Sequence, residues 1–521
     1  MDVVSAPAEE KLGVVSFPVS CAAELQPPFD RAVALLHSFW YEAAEAAFRE
    51  IAEKDPGCAM AQWGIAMTAV HPLWPDVPDY EKGRRASERA ASLGGASPLE
   101  EGYIAAVTRF FIGPEPPDYP ARKHAFEREM RALHEQFPGD SEVTIFYALS
   151  SIATAPPDDQ TYANQRQAAE LLEGLAAALP EHPGILHYTI HAYDTPELAP
   201  KALAAARRYP EVASSVPHGL HMSSHIFTRL GLWKEAVAAN GSATHAGHRF
   251  AAELGLPGAW DEELHAFEYL MYALLQMADD QAAAKVLADL QSHPTGTPMT
   301  MKSAHPFAAV PARYALERRQ WKEAAALEPV PAELPWERFP FAAAITVFAK
   351  ALGSARSGAL EEAARGVAEL EALRDGTKDH YWSRQIEVLR LEAAAWMAEA
   401  RGGSDEAIDL LRAAATLEES MEKHPVTPGP LIPAREQLGE LLVTRGRPEE
   451  GLTEIEAALA VAPKRFNGLY EAGIAARDAG HPERARKYFR MLVEMCAPGN
   501  MRPELETARR YLEAESLPGS L

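Results

Sequence analysis

Two glycine pairs near the C-terminus recur at one distance, and that distance limits what the chain can fold into more than any other feature. Leu438-Gly439 and Gly446 are followed by Gly451, Ile455, Ala458 and Pro463. The next stretch carries Gly473, Gly480, Ala485, Phe489, Leu492 and a closing Pro498. Gly439 to Gly473 spans 34 residues, and so does Gly446 to Gly480. A fixed period of this size marks a supersecondary unit that buries its apolar face only by stacking on its neighbours. The residue types fit that logic. A small residue midway along one helix lets the next approach, a glycine turns the chain, and small and large apolar residues interlock in the second helix.

A 34-residue helix–turn–helix period is that of the tetratricopeptide repeat, TPR. The N-terminal region follows the same grammar in Tyr41, Ala44, Phe48, Ile51 and Asp55-Pro56, with a new helix from Ala59. A further unit has Ser224 at the small position, Gly231 at the turn, Trp233 in the aromatic slot and Ala236 opening the second helix. Weaker units run through Leu264–Leu290, Ala308–Leu327, Phe341–Leu373 and Trp382–Glu422, with insertions at Pro72–Pro78, Gly113–Pro120 and Ala155–Gln160. The expected architecture is an all-α, TPR-like right-handed α-solenoid, a superhelix of antiparallel helix pairs whose first helices line a concave face. Residues 1–26 form an N-terminal segment, 27–515 one solenoid, and 516–521 a tail. The alternative is two lobes, 27–294 and 307–515, meeting near Gly296–Pro306. Apart from a lone strand at Val14–Phe17, no alternating pattern of useful length is present.

Charge and cysteine usage narrow the partners. The chain has 50 basic and 74 acidic side chains, a net charge of −24, which repels phosphate backbones and anionic headgroups. Neither nucleic acid nor membrane is an expected partner, and no apolar run reaches the roughly 18 residues of a membrane span. Met1–Gln26 carries Asp2, Glu9, Glu10 and Lys11, which argues against a secretory signal. Cys21, Cys58 and Cys496 imply no disulfide framework, so a reducing cytoplasm is the expected location. Whether Cys21 and Cys58 meet is left open, as is the oligomeric state.

Histidine falls where the repeat should point inward. With Ser224 at repeat position 8 and Gly231 at 15, His218, His221, His225 and Arg229 form one stripe, because residues three and four apart share a helix face. The preceding first helix, about His182–Tyr193, carries His187 and His191 four apart, with Asp194 at its end. Neighbouring first helices lie about 8–10 Å apart, so the two stripes can reach one point. Imidazole pairs at this spacing hold zinc, and imidazole also serves copper and iron. The expected metal ligands are therefore His187, His191, His221 and His225, for a transition-metal ion (Zn, Cu or Fe). His218 or Asp194 would handle protons, and Arg229 would anchor an anionic group. The glutamate of a protease-type His-Glu-x-x-His is missing, since Tyr188-Thr189-Ile190 and Met222-Ser223-Ser224 intervene. The competing reading is a polar, hydrogen-bonded groove without metal.

Other inward-facing candidates are His37, His71 and Trp63 in the first repeats, Glu142 opening another first helix, and the stripe His265, Glu268, Tyr272 and Gln276. Met222 and the aromatic residues at apolar repeat positions are expected in the core. The acidic runs Asp261-Glu262-Glu263 and Glu418–Glu422 read as solvated faces. No glycine-rich phosphate loop, Gly-x-Ser-x-Gly elbow or Cys-x-x-Cys pair occurs.

Several longer stretches resemble a group of bacterial TPR proteins of about this length. They are Phe29–Tyr41 (FDRAVALLHSFWY), Asp55–Thr68 (DPGCAMAQWGIAMT) with His71-Pro72-Leu73-Trp74, His187–Asp194 (HYTIHAYD), Pro217–Trp233 (PHGLHMSSHIFTRLGLW) and Lys423–Gly429 (KHPVTPG). The resemblance implies that His37, His71, His187, His191, His218, His221 and His225 belong to the pattern of that group; it implies no reaction.

Two functional readings follow. In one, a metal-dependent enzyme acts on a small molecule inside the superhelix, with Trp63 or Tyr272 packing on the substrate. In the other, the chain is a TPR scaffold binding a peptide or partner protein in its concave groove. Histidine rather than Lys, Arg and Asn at the groove positions tips the balance toward the enzyme.

Overall fold

Helix pairs account for almost all of the chain. A computed structural model describes residues 10–73, 79–114, 118–496 and 499–514. Parts of the insertions at Pro72–Pro78 and Gly113–Pro120, Trp74, Pro498 and the tail 516–521 lie outside them. Among the described residues there are twenty-five α-helices, and the only strands are the two-residue pieces Ala259–Trp260 and Gly296–Thr297. The chain divides into two compact units, 1–226 and 227–521. That division falls in the last turn of the helix Pro217–Arg229, well before the Gly296–Pro306 stretch considered above.

In the first unit the pairs are Gln26–His37 with Tyr41–Lys54, Ala59–Met67 with Tyr80–Leu93, and Pro98–Phe111 with Tyr119–Gln136. Ser141–Ala153 with Ala163–Ala176 follows, then Pro183–Tyr193 with a second limb made of a short 3-10 turn, Ala199–Ala202, and the helix Leu203–Val212. Side-chain caps fix several starts: Ser97, Asp118, Asp140 and His182 each accept a main-chain N–H of the first turn. An aromatic cluster of Phe17, Phe29, Phe48, Trp63, Tyr103 and Phe146 fills the interior of this unit.

One expectation fails here for an identifiable reason. Val14–Phe17 is not a strand: Val14 donates to the Glu181 carbonyl at a helix-connecting turn, and among the described residues no ladder adjoins it. Its buried residues, Val15 and Phe17, plug the helices instead. Cys21 and Cys58 are joined in a disulfide that ties the N-terminal segment to the start of the helix Ala59–Met67. The sequence leaves that pairing open, and one bond of this kind is no disulfide framework.

The second unit opens with Trp233–Leu254 and continues with Asp261–Gln276 and Asp280–Ser292, Met301–Leu316 and Trp321–Ala325, and Pro340–Ser357 and Leu360–Gly376. The pairs His380–Ala400 and Ser404–Glu419, Ala434–Thr444 and Pro448–Val461, and Phe466–Asp478 and Pro482–Met495 follow, closed by Pro503–Ala514. The 34-residue period is visible as packing. A Cβ added to Gly439 would sit 2.4 Å from the Ile455 side chain, and one added to Gly473 would sit 2.4 Å from the Phe489 ring. The small residue is what lets each helix pair close. Gly446 and Gly480 take left-handed φ angles of 74° and 79° at the turns, where a Cβ is costly. Among the described residues, no helix is long and apolar enough to cross a membrane.

The acidic run Asp261-Glu262-Glu263 is buried, contrary to its reading as a solvated face. Lys302 explains two of the three carboxylates, reaching Asp261 at 2.9 Å and Glu262 at 2.5 Å. The run also occupies the first turn of its helix, where the helix dipole favours negative charge. Glu418 and Glu422 are half-buried and Glu419 is exposed. The motif Lys423–Gly429 is a loop held from below. Tyr269 donates to the Pro425 and Thr427 carbonyls at 3.0 Å, and Arg313 to Thr427 Oγ1 at 2.9 Å and to the Gly429 carbonyl.

Candidate functional site

Two helices of the first unit bring together the histidines that spacing alone had put on facing stripes. His187 and His191 are one turn apart on Pro183–Tyr193, where Pro183 fits the first turn and His182 caps it. His218, His221 and His225 follow one another on Pro217–Arg229. All are buried except His191, which is half-buried.

The ring nitrogens face each other at short range. His187 Nε2 lies 3.1 Å from His191 Nε2 and 3.2 Å from His218 Nε2. His221 Nε2 lies 3.1 Å from His225 Nε2. The two groups adjoin, with ring centroids of His191 and His225 at 5.9 Å and of His218 and His221 at 6.0 Å.

Outer contacts settle which nitrogens carry protons. His187 Nδ1 is 2.7 Å from the His37 carbonyl oxygen, which can only accept, so Nδ1 bears the hydrogen and Nε2 presents a lone pair. His225 Nδ1 likewise donates to Asp194 Oδ2 at 2.9 Å, leaving its Nε2 lone pair toward His221. Burial, together with the adjoining imidazoles of His191 and His218, holds His187 well below the usual histidine range, hence neutral. Neutral imidazole is the ligand form. Around a tetrahedral ion with metal–nitrogen bonds of 2.0–2.1 Å, two nitrogens sit about 3.3 Å apart. The observed separations are close to that edge. Phe39 packs on His187, His191 and His218 with centroids at 4.5, 5.9 and 5.7 Å, and Tyr209 stacks on His187 at 5.3 Å. The pocket is therefore walled by rings, with His191 its most exposed edge.

A second buried network lies next to it. His37 Nε2 and His182 Nε2 each donate to one oxygen of Glu142, both at 2.8 Å. The tautomers are consistent, because His37 Nδ1 is 3.0 Å from Tyr188 OH and His182 Nδ1 accepts the Ile185 N–H at 3.3 Å. Burial pushes the Glu142 carboxyl up, but the two histidines outweigh it and hold the group down at about 2. Burial also lowers His37, so at neutral pH a neutral His37 N–H is one of the two donors to this carboxylate. Both Glu142 oxygens are engaged, and the arrangement reads as a clamp that fixes His37.

The other sequence-derived candidates each have packing of their own. Trp63 is 1% exposed in the aromatic core, stacked on Phe17 at 5.3 Å, so no substrate can pack on it. His71 stacks on Tyr41 at 4.2 Å. Arg229 pairs with Glu422, so its guanidinium already holds a carboxylate of this chain. In the second unit His265 is buried edge-to-face against Tyr269. Glu268 is shared by His305 at 2.7 Å, Thr427 at 3.0 Å and Arg313 at 3.3 Å. Tyr272 is buried, bonded through its hydroxyl to Arg465 at 2.8 Å and faced by the Arg313 guanidinium at 5.0 Å. Gln276 donates to Glu317 at 3.0 Å. Glu268, Tyr272 and Gln276 are buried and act as internal struts. Sequence reasoning missed His182, Phe39 and Tyr209. His182 was visible only as a residue before Pro183, which marks a cap; the two rings carried no signal, since apolar repeat positions always hold such residues.

No family model matches the chain, and no curated protein sequence is similar to it. Among solved structures, the chain is similar to the APC/C hetero-tetramer Cut9-Hcn1, with TM-score 0.34 and 9% identity over 94% of this chain and 90% of that one. The human IFIT1 dimer with m7Gppp-AAAA gives TM-score 0.40 and 11% identity over 83% and 90%. A tetratricopeptide repeat protein from Parabacteroides merdae gives 0.29 and 13% over 58% and 98%. At these scores the assignment to TPR-type helix pairs rests on the elements and their packing.

Proposed function

We propose that this chain is a TPR-type scaffold for a peptide or partner protein and that its first unit holds a transition-metal ion among His187, His191 and His218. The scaffold half is supported by fold class, since stacked helix pairs are built to present extended binding surfaces. It is an analogy of fold and names no clamp residues. The metal half is carried by one observation, the 3.1–3.2 Å Nε2 separations around His187, whose other nitrogen is committed to a carbonyl. His221 and His225, with Asp194 orienting the latter, supply an adjoining pair. An imidazole shell suits Zn, Cu or Fe. If the half-buried His191 edge admits a small molecule, the same centre is that of a metal-dependent enzyme, with the bound ion acting as a Lewis acid and Asp194 setting the basicity of His225.

Elemental analysis of the untagged, full-length protein tests the metal half. At least one equivalent of a transition metal should be present, and the His187→Ala/His218→Ala variant should hold one equivalent less. Metal-free protein that refuses added Zn(II) would end that reading. The scaffold half stands on a separate measurement: one partner of defined stoichiometry recovered by the parent chain and by that variant alike.

A further inference from the structure

The second unit contains another cluster that the centre above does not use. Glu263, in the first turn of Asp261–Gln276, is 1% exposed, and its Oε2 is buried without a hydrogen-bond partner. His293, just after Asp280–Ser292, has a buried Nε2 that is equally unpartnered. His248, on Trp233–Leu254, is exposed and places Nδ1 3.3 Å from Glu263 Oε1. One ligand atom from each of the three lies within 4.8 Å of the other two.

Local structure explains how they meet. The parallel pairing of Ala259 with Gly296 and Trp260 with Thr297 pins the segment after His293 beside the segment before Glu263. Gly247 lets the third helix in, since a Cβ there would sit 2.9 Å from Glu263 Cβ. Lys302 pairs with the neighbouring carboxylates Asp261 and Glu262. Each of these two orphaned polar atoms costs about 1–3 kcal/mol if left without a partner.

We propose that His248, Glu263 and His293 form a second metal site, taking a divalent first-row transition ion such as Zn(II) and leaving its remaining positions to water or an exogenous ligand. Two imidazoles and one carboxylate on one side of an ion are a familiar donor set for such metals. Ligands on one ion stand about 3–4 Å apart, and His248 Nδ1 already stands 3.3 Å from Glu263 Oε1. The bland alternative is a surface His–Glu pair. It accounts for His248 and leaves both orphaned atoms unexplained. Burial raises the Glu263 carboxyl to about 7 and lowers His293. Both shifts show how poorly the pocket tolerates uncompensated charge, and the nearby Asp289 adds to the negative field that a cation would relieve.

Co(II) titration of the chelator-stripped, full-length chain, followed by its visible absorption, tests the assignment. The His187→Ala/His191→Ala/His218→Ala variant should still take up one equivalent. Adding His248→Ala, an exposed position that leaves the fold intact, should weaken that equivalent at least tenfold, and Glu263→Gln should do the same. If His248→Ala and His293→Ala bind Co(II) with the parent's stoichiometry and affinity, this site does not exist, whatever the outcome at the first. If the triple variant binds none, this site is overturned while the first is retained.

Discussion

His187 donates from Nδ1 to the main-chain carbonyl of His37 at 2.7 Å, and this contact joins the imidazole cluster to the Glu142 clamp. Glu142 fixes the His37 ring through Nε2, Tyr188 fixes it from the other side, and the His37 carbonyl in turn sets the tautomer of His187. A carboxylate with no place in the cluster thus orients its central ring. Contacts one step behind a ligand commonly tune metal affinity in this way.

Asp194 does the same for His225, and its removal has a readable effect. Asp194→Asn should keep the helix, whose C-terminal turn does not depend on charge, and lower metal affinity by about 10–100-fold. Competition against a chromogenic chelator measures this. Unchanged affinity would mean that the His221/His225 pair takes no part in binding.

Glu142→Gln tests the clamp itself. The carboxylate accepts from two N–H donors, whereas an amide offers one oxygen and turns its NH2 group toward the other donor. Losing a charged hydrogen bond and creating a donor–donor clash in a buried site should cost about 2–4 kcal/mol. A urea midpoint followed by circular dichroism reports the loss, and an unshifted midpoint would show that the histidines repack freely.

How much of this was legible beforehand depends on the range of each interaction. The helix pairs were readable because the 34-residue period is local, and Gly473 meets Phe489 within one repeat. His187 and His191 were readable because four residues make one helical turn. His182 was not, since its partner Glu142 lies on another helix, 40 residues earlier. The burial of Asp261 and Glu262 was hidden for the same reason: the neutralising Lys302 comes from a separate helix. Trp63 was misplaced because a repeat register says which way a side chain leaves its helix. It does not say that the N-terminal segment, through Phe17, will cover it.

The Cys21–Cys58 disulfide closes a loop of sequence separation 37. Constraining the unfolded chain over a loop of that length is worth between about 3 and 4.7 kcal/mol on the entropic account. Protein purified without reductant should show one titratable thiol when denatured, that of Cys496, and three after reduction. Cys21→Ser should lower the thermal midpoint by several degrees under non-reducing conditions and have no effect in reductant. Three thiols in unreduced protein would rule the bond out.

The last prediction concerns pH and the second unit. Glu392 is buried, and burial together with the nearby Glu418 raises its carboxyl well above the ordinary range. Glu418 is itself raised by burial to about 8. An unfolded glutamate titrates near 4.3, so the folded chain binds these protons more tightly than the unfolded one. The linkage then runs opposite to that of a salt-bridged carboxylate. Their contribution is whole below about pH 4 and is lost as pH rises through about 8, because folding then demands either a costly proton or a buried charge. Glu418→Gln removes the penalty at one site. At pH 8.5 it should stabilise the chain by on the order of 2 kcal/mol, a full shift having been discounted for the partly exposed carboxyl, and at pH 5 by much less. Thermal midpoints of the parent and Glu418→Gln across pH 5–9 decide the matter: curves that converge toward low pH support the raised carboxyl, and parallel curves show that Glu418 ionises as an ordinary surface group.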